Sequence, residues 1–226
     1  MGLSHSPSII TQNLVLCLDA ANTKSYPGSG TTWTDLSGNG NNGTLVNGVG
    51  YSGDNFGSLS FDGANDYVTL GTKDIITTDF SVNMWVKVTA ATKEVYFFSF
   101  GYSDSNSALL YRSGGAPYTL TMNYINSGVI TTHSSSFAIN QNVTYNITWT
   151  RTGSNNIVYI NGVNIYSFSN STTLISCIYD IGWATTRNKS TAYYQGNIYT
   201  TSLYNRALTP QEIQQNFNAT RSRYGI

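Results

Sequence analysis

An all-β sandwich of two antiparallel sheets, carrying one short C-terminal helix, is the fold that this 226-residue sequence predicts. Three observations lead there. Hydrophobic residues make up 40% of the chain and charged residues only 10%, against roughly 25% charged in an average soluble domain. The difference is filled by Ser, Thr, Asn, Gly and 17 tyrosines, a composition that suits half-buried strands joined by polar turns. Strand-length runs recur at short, regular spacing without a βαβ pattern, which argues against a parallel sheet. Helix signals are concentrated in one stretch near the C-terminus, around Thr209.

The elements follow in order. Residues 1–12 form a polar arm with Pro7, and 13–226 read as one domain without a break in composition. The apolar run Leu14 to Leu18 opens the first strand, which reaches Asp19. Pro27, Gly28 and Gly30 mark a turn, and Trp33 to Leu36 a short strand. The following SGNGNNG is a loop whose glycines and asparagines tolerate positive φ. Further strands are predicted at 58–62, 66–70, 80–88, 94–100, 108–112, 117–124, 128–133, 143–151, 156–160, 163–168, 175–182 and 193–204. In 80–88 the alternation puts Phe80, Val82, Met84, Val86 and Val88 on one face and Ser81, Asn83, Trp85 and Lys87 on the other. Asn161-Gly162, between Val158-Tyr159-Ile160 and Val163, is a two-residue hairpin signal. Thr209 is a good N-cap, Pro210 suits the first helical position, and Glu212 completes a capping box. Leu208 and Ile213 stand at the staple positions, and Ile213 and Phe217 share a face of a helix ending near Thr220.

Charge excludes some functions. Lysine plus arginine equals aspartate plus glutamate, 11 each, and no basic run occurs. Binding of nucleic acid through phosphate neutralisation is therefore not expected. The longest apolar runs are strand-sized, far short of a membrane span. MGLSHSPSII has neither a basic start nor an apolar core, so a secretory signal is not expected either. Cys17 and Cys177 sit in apolar runs and read as two buried thiols; spacing alone leaves a disulfide between them open.

Four segments in order resemble one family: LSFDGANDYVTL (59–70), DFSVNMWVKV (79–88), WTRTGSNNIVYINGV (149–163) and GNIYTTSLYNRALTPQEIQQNFNA (196–219). Together they resemble laminin-G-like members of the concanavalin-A-like superfamily, which implies a two-sheet antiparallel jelly-roll sandwich from Leu14 to Ala219. Phe61 and Tyr67 flank an Asp-Gly turn, as a hairpin entering the core requires. Trp85 and Trp149 are bulky enough to fill the space between two sheets. The resemblance implies that Arg206, just before the helix, holds a turn carbonyl or a carboxylate.

Glucanases of this superfamily carry Glu-x-Asp-x-x-Glu on one strand, supplying the two carboxylates that glycoside hydrolysis needs. Here the glutamates are only Glu94 and Glu212; Glu212 belongs to the capping box and Glu94 has no acidic partner at i+2 or i+4. His5 and His133 accompany no recognised nucleophile motif. The chain is read as non-enzymatic, with no catalytic residue. Calcium is the one candidate cofactor. The resemblance implies a rim site, carried over to Asp35, Asp62 and Asp66, although by themselves these residues read as Asx-turns that satisfy their own backbone. For a sugar ligand, Tyr96, Tyr102, Tyr111, Tyr118, Tyr124, Tyr193 and Tyr194 offer flat faces near turns or strand ends, and Asn side chains with Arg112 or Arg187 offer hydrogen bonds.

The opening, from His5 to Leu45, resembles the N-terminal part of laminin-G-like proteins encoded by tailed bacteriophages. That resemblance implies a virion component, a capsid decoration or fibre protein. Its arm residues His5, Ser6, Pro7, Ile9 and Ile10 would dock on another virion protein by strand or groove addition. The alternative is an adhesin for host surface glycans. The number of subunits stays open, a homo-oligomer included.

Overall fold

The computed structural model of the protein describes residues 7–75, 78–102, 105–174, 177–184 and 192–226. Its strands in the first half are β1 (Leu14–Asp19), β2 (Thr32–Trp33), β3 (Gly43–Val46), β4 (Gly50–Ser52), β5 (Ser58–Asp62), β6 (Tyr67–Lys73), β7 (Phe80–Val88) and β8 (Val95–Tyr102). Those in the second half are β9 (Ser105–Arg112), β10 (Thr119–Asn126), β11 (Val129–Ala138), β12 (Thr144–Thr152), β13 (Asn155–Ile160), β14 (Val163–Ser169), β15 (Cys177–Ile181) and β16 (Gln195–Tyr204). One α-helix follows, α1 (Pro210–Thr220). Among the described residues no helix is long and apolar enough to cross a membrane.

Two antiparallel sheets form. The first runs β14-β13-β12-β7-β16-β5-β4, with β1 also on β16; the second runs β11-β10-β9-β8-β15-β6-β3-β2. β16 is the seam of the first sheet. Its first residues pair with β5, its later ones with β1, and β7 lies along the other side.

Alternation decides what fills the sandwich. Phe80, Val82, Met84, Val86 and Val88 of β7 are all in the main core. Phe80 packs edge-on against Phe100 and Trp149, each at 5.0 Å. Such pairs contribute beyond the roughly 1.5–3 kcal/mol that burying a large apolar side chain brings. The core also hides polar atoms with their partners: Asn156 Oδ1 accepts from Trp149 Nε1 at 3.0 Å and Tyr124 Oη at 2.7 Å. Asn161 and Gly162, at φ 51° and 78°, make the predicted hairpin between β13 and β14.

Three expectations need correction. Trp85 does not lie between the sheets. It obeys the alternation of β7, points outward, and stacks on Phe217 and Tyr224 at 5.8 and 4.0 Å. Tyr67 likewise faces away from the core, whereas Phe61 enters it. The strand predicted at Trp33 to Leu36 is only Thr32–Trp33, because Asp35 turns the chain into an Asx-turn. The glycine-rich stretch after it contains β3 and β4, too short for a periodic signal.

The helix is capped as its sequence requires. Glu212 N–H donates to Thr209 Oγ1 at 3.3 Å, and Thr209 N–H donates to Glu212 Oε2 at 2.9 Å. Arg206 grips both oxygens of Glu212 at 2.7 Å. Ser81 fastens this segment to the first sheet: its Oγ accepts Leu208 N–H at 2.8 Å. The arm joins the same layer. Ile10 N–H donates to Asn216 Oδ1 at 2.7 Å, Tyr204 Oη donates to Ile10 O at 2.9 Å, and Gln215 Nε2 reaches Ser8 O at 2.9 Å. The outer face of the first sheet around β7 and β16 is thus covered by its own chain.

Candidate functional site

The outer face of the second sheet is built differently. Register alignment brings Thr44 opposite Thr69, Thr69 opposite Asp180, and Asp180 opposite Ser99, so a polar row crosses β3, β6, β15 and β8. Two residues before Thr69, on the same face of β6, stands Tyr67, which belongs to the aromatic group. Gly182, at φ 84°, lets the chain leave β15; a Cβ there would stand 3.1 Å from Phe61. Ser99 Oγ then holds Trp183 O at 2.9 Å, and Tyr194 N–H holds Gly182 O at 2.7 Å. This places Trp183 and Tyr193 face to face, ring centroids 5.3 Å apart and 10° from parallel. Tyr67 leans on Trp183 at 4.9 Å. All three rings are half-buried, so each keeps part of its surface in solvent. Trp183 Nε1 finds no acceptor among the described residues. Burial raises the Tyr67 phenol pKa, helped by the nearby Asp180 and Tyr193.

Of the residues singled out from the sequence, Tyr193 stands in this group; Tyr124 and Tyr194 lie in the main core, and the others fall elsewhere. Tyr96 and Tyr111 do come together, rings 5.2 Å apart, but inside a buried cluster with Leu109, Ile125, Ala184 and Ala192 beside the platform. Tyr96 Oη donates to Glu94, and Tyr111 Oη to Asn123 at 3.3 Å. Arg112 is fully buried; it donates to Lys93 O at 2.8 Å and lies 5.0 Å over the Tyr118 ring. Burial lowers its pKa. Arg187 and the side chain of Tyr102 lie outside the described residues, as do His5 and Ser6. Pro7 is exposed, and Ile9 and Ile10 are half-buried against the domain.

The aspartates do not assemble a calcium cage. Asp35 Oδ1 accepts Cys17 N–H at 2.8 Å and Ser37 N–H at 2.9 Å, and its Oδ2 accepts Ser37 Oγ at 2.7 Å and Asn41 N–H at 3.0 Å. That carboxylate closes its loop onto β1. Asp62 and Asp66 share one turn, where Asp62 Oδ1 accepts Ala64 N–H at 2.7 Å and Asp66 Oδ2 accepts Asp62 N–H at 3.1 Å. Asp66 Oδ1 is buried with no partner among the described residues, and burial raises the Asp66 pKa. Yet the Lys93 ammonium already sits on Gly63 O in that turn. Among the described residues no three His, Cys, Asp or Glu side chains gather. Two carboxylates and an ammonium do not fit a cation that takes six to eight oxygens.

The geometry can now be set beside known proteins. A laminin-G-type family model, described as the concanavalin A-like lectin/glucanases superfamily, matches residues 62–214, more than half of the chain. The chain belongs to this superfamily. No curated protein sequence matches it significantly. Among solved structures, domain 4 of AbnA, a GH43 extracellular arabinanase from Geobacillus stearothermophilus in complex with arabinotriose, is similar at TM-score 0.69 and 18% identity. The match covers 90% of this superfamily member and 98% of that domain. The binding domain of Paraclostridial Mosquitocidal Protein 1 is similar at TM-score 0.69 and 21% identity, covering 92% of the chain and 52% of the toxin domain. Trypanosoma rangeli sialidase in complex with sialic acid is similar at TM-score 0.70 and 14% identity, covering 97% of the chain and 36% of the sialidase. The chain therefore spans about half of the one and about a third of the other. These likenesses establish the jelly-roll sandwich fold.

Tyr67 and Trp183 carry the platform and were not singled out as ligand residues from the sequence. The hairpin signal around Asp62-Gly63 points Tyr67 into the core with Phe61, and so conceals it as a ligand residue. Trp183 had no signal, since its position depends on the turn at Gly182 and the pairing with Tyr193.

Proposed function

We propose that this protein is a non-enzymatic carbohydrate-binding domain whose ligand stacks on Tyr67, Trp183 and Tyr193. The observation that carries the reading is the near-parallel, half-exposed Trp183–Tyr193 pair beside a polar row. Flat rings pack against the C–H faces of a sugar, and the exposed Thr44 and half-exposed Thr69 hydroxyls lie beside them for its O–H groups. The neighbour solved with arabinotriose supports the reading. For the non-enzymatic part, support comes from the two glutamates. Both oxygens of Glu212 are held by Arg206, and Glu94 accepts from Tyr96. Glycoside hydrolysis needs two carboxylates facing each other across the scissile bond. Isothermal titration with arabinotriose, followed by a glycan array, tests the proposal. Millimolar or tighter binding that falls at least tenfold in Trp183→Ala is expected; a flat array and titration with the folded protein would falsify it.

Carriage on a phage particle, with capsid or fibre proteins as partners and host surface glycan as ligand, belongs to the same proposal. It rests on the resemblance of the opening from His5 to Leu45. Removal of residues 1–7, which spares the Ser8 and Ile10 hydrogen bonds, is expected to leave the domain folded and to abolish incorporation. Normal incorporation of that truncated chain rules out docking through His5, Ser6 and Pro7.

A further inference from the structure

The two sheets meet at one side through their last strands. β11 ends the second sheet, β14 ends the first, and the two pack against each other across the sandwich. His133 of β11 makes the contact. Its ring lies on Phe168 of β14, centroids 4.1 Å apart and 20° from parallel. Tyr166 continues the stack on Phe168 at 5.5 Å. Tyr124 of β10 stands edge-on to His133 and Phe168, at 6.5 and 6.4 Å. Tyr166 and Phe168 are partly buried against the main core, so this seam is one wall of it.

Asn170 fixes the polar side of the imidazole. Its Oδ1 accepts Thr172 N–H at 2.9 Å, its N–H donates to Ser154 O at 2.8 Å, and its carbonyl accepts Arg151 Nη2 at 3.3 Å. Because Oδ1 is taken, the amide nitrogen faces the ring, with Nδ2 3.4 Å from His133 Nε2. An amide nitrogen only donates, so Nε2 accepts and the ring is neutral, its proton on Nδ1. A proton on Nε2 sets donor against donor.

The groups around the ring offer such a cation no counterion. Arg151 of β12 lies 5.2 Å over the Tyr124 ring and gives its hydrogen bonds to the carbonyls of Gly153, Asn170 and Thr172. Tyr124 donates its hydroxyl to Asn156 Oδ1 at 2.7 Å, and burial raises its pKa, so it stays neutral. β10, β11, β13 and β14 carry no Asp, Glu, Lys or Arg. Tyr166 is the titratable group of β14, and Tyr159 of β13 packs with the helix instead. Asp79, at the turn beyond Arg151, takes Gly153 N–H at 2.7 Å and Thr152 Oγ1 at 3.1 Å. A cation over the Phe168 face gains a little. Burial and the lost hydrogen bond act the other way, and burial lowers the His133 pKa.

We propose that His133 is a proton-operated latch: neutral, it holds β11 against β14, and protonated, it releases that seam while the rest of the sandwich stays folded. A histidine whose folded pKa lies below its unfolded value of 6.5 contributes fully above pH 6.5 and loses that contribution as pH falls. Release bares the wall formed by Tyr124, Tyr166 and Phe168.

Hydrogen–deuterium exchange of the full chain at about pH 7 and about pH 5, corrected for intrinsic rates, tests this. Protection of β11 and β14 is expected to fall about fivefold at the lower pH, with β7 and β16 unchanged. The chain has only two histidines, so their NMR titration is readily resolved, and His133 is expected to titrate below 6.5. His133→Gln removes the proton site and is expected to abolish the pH effect. Asn170→Asp puts a carboxylate in front of Nε2 and is expected to reverse it, raising the His133 value and tightening the seam at the lower pH. Equal protection at both pH values overturns the proposal. So does a loss shared by β7 and β16, a natural His133 that titrates at or above 6.5, or a pH effect that survives His133→Gln. If His133→Gln fails to fold, Asn170→Asp decides, and an unreversed effect sinks the latch.

Discussion

Each sheet carries an aromatic cluster on its outer face, and the two differ in what covers them. On the first sheet Trp85 stacks on Tyr224 at 4.0 Å, and its Nε1 donates to Thr220 Oγ1 at 2.9 Å, so the helix and the chain after it form the lid. On the second sheet Trp183 stacks on Tyr193, its Nε1 has no acceptor among the described residues, and the rings stay half-open. The same side-chain chemistry stabilises the fold in one place and is left available in the other. A tryptophan on an outward-facing strand position is therefore not a binding residue in itself. Among the described residues nothing lids the second cluster, which makes it the candidate.

The comparison breaks or sharpens by substitution. The largest effect is expected from Trp85→Ala. Removing a fully covered tryptophan costs about 3–5 kcal/mol, read as a lowered urea midpoint, with ligand binding by the remaining folded fraction unchanged. Trp183→Ala is expected to cost about 1 kcal/mol of stability, because only part of the ring is buried; a loss equal to that of Trp85→Ala erases the distinction between the two faces.

Next comes the lid itself. The Arg206 ion pair, aided by the Thr209 N–H, lowers the Glu212 carboxyl from 4.5 to about 2. Because the folded value lies below the unfolded one, this stabilisation is complete above pH 4.5 and is lost as pH falls towards 2. Glu212→Gln is expected to cost about 1 kcal/mol at pH 7 and to flatten the melting-temperature profile across that window. An unchanged profile means that the cap does not secure the lid.

The smallest effect is chemical. Cys17 borders a cavity of about 80 Å³ under the arm and helix, together with Ile9, Trp85 and Asn216. Burial pushes its thiol up to about 11. At pH 8 only about one thiol in a thousand is ionised, so peptide mapping after iodoacetamide treatment is expected to find Cys17 almost unmodified. Removing residues 1–12 is expected to speed its alkylation; equal rates show that the arm contributes nothing to the seal.

Much of the scaffold was legible without coordinates. The period-two pattern of Phe80–Val88 named the core face of β7, and it also put Trp85 outside, where the structure has it. Bulk argued for the interior and the alternation for the exterior; the alternation was the better guide, because pleating fixes direction whatever the size of the side chain. The Asn161-Gly162 turn and the Thr209 capping box were equally local and equally legible. The platform was not. Tyr67, Trp183 and Tyr193 come from two distant parts of the chain and meet only after β6 and β15 have paired.

By itself, then, the sequence determined the sandwich class, the strand faces, the turns and the capped helix, because each follows from φ/ψ preference or side-chain period within a few residues. Tertiary structure alone decided which outward aromatics were covered. Exposure depends on where the helix, the arm and the turn at Gly182 come to rest, and those positions are set by pairings between residues far apart in the chain.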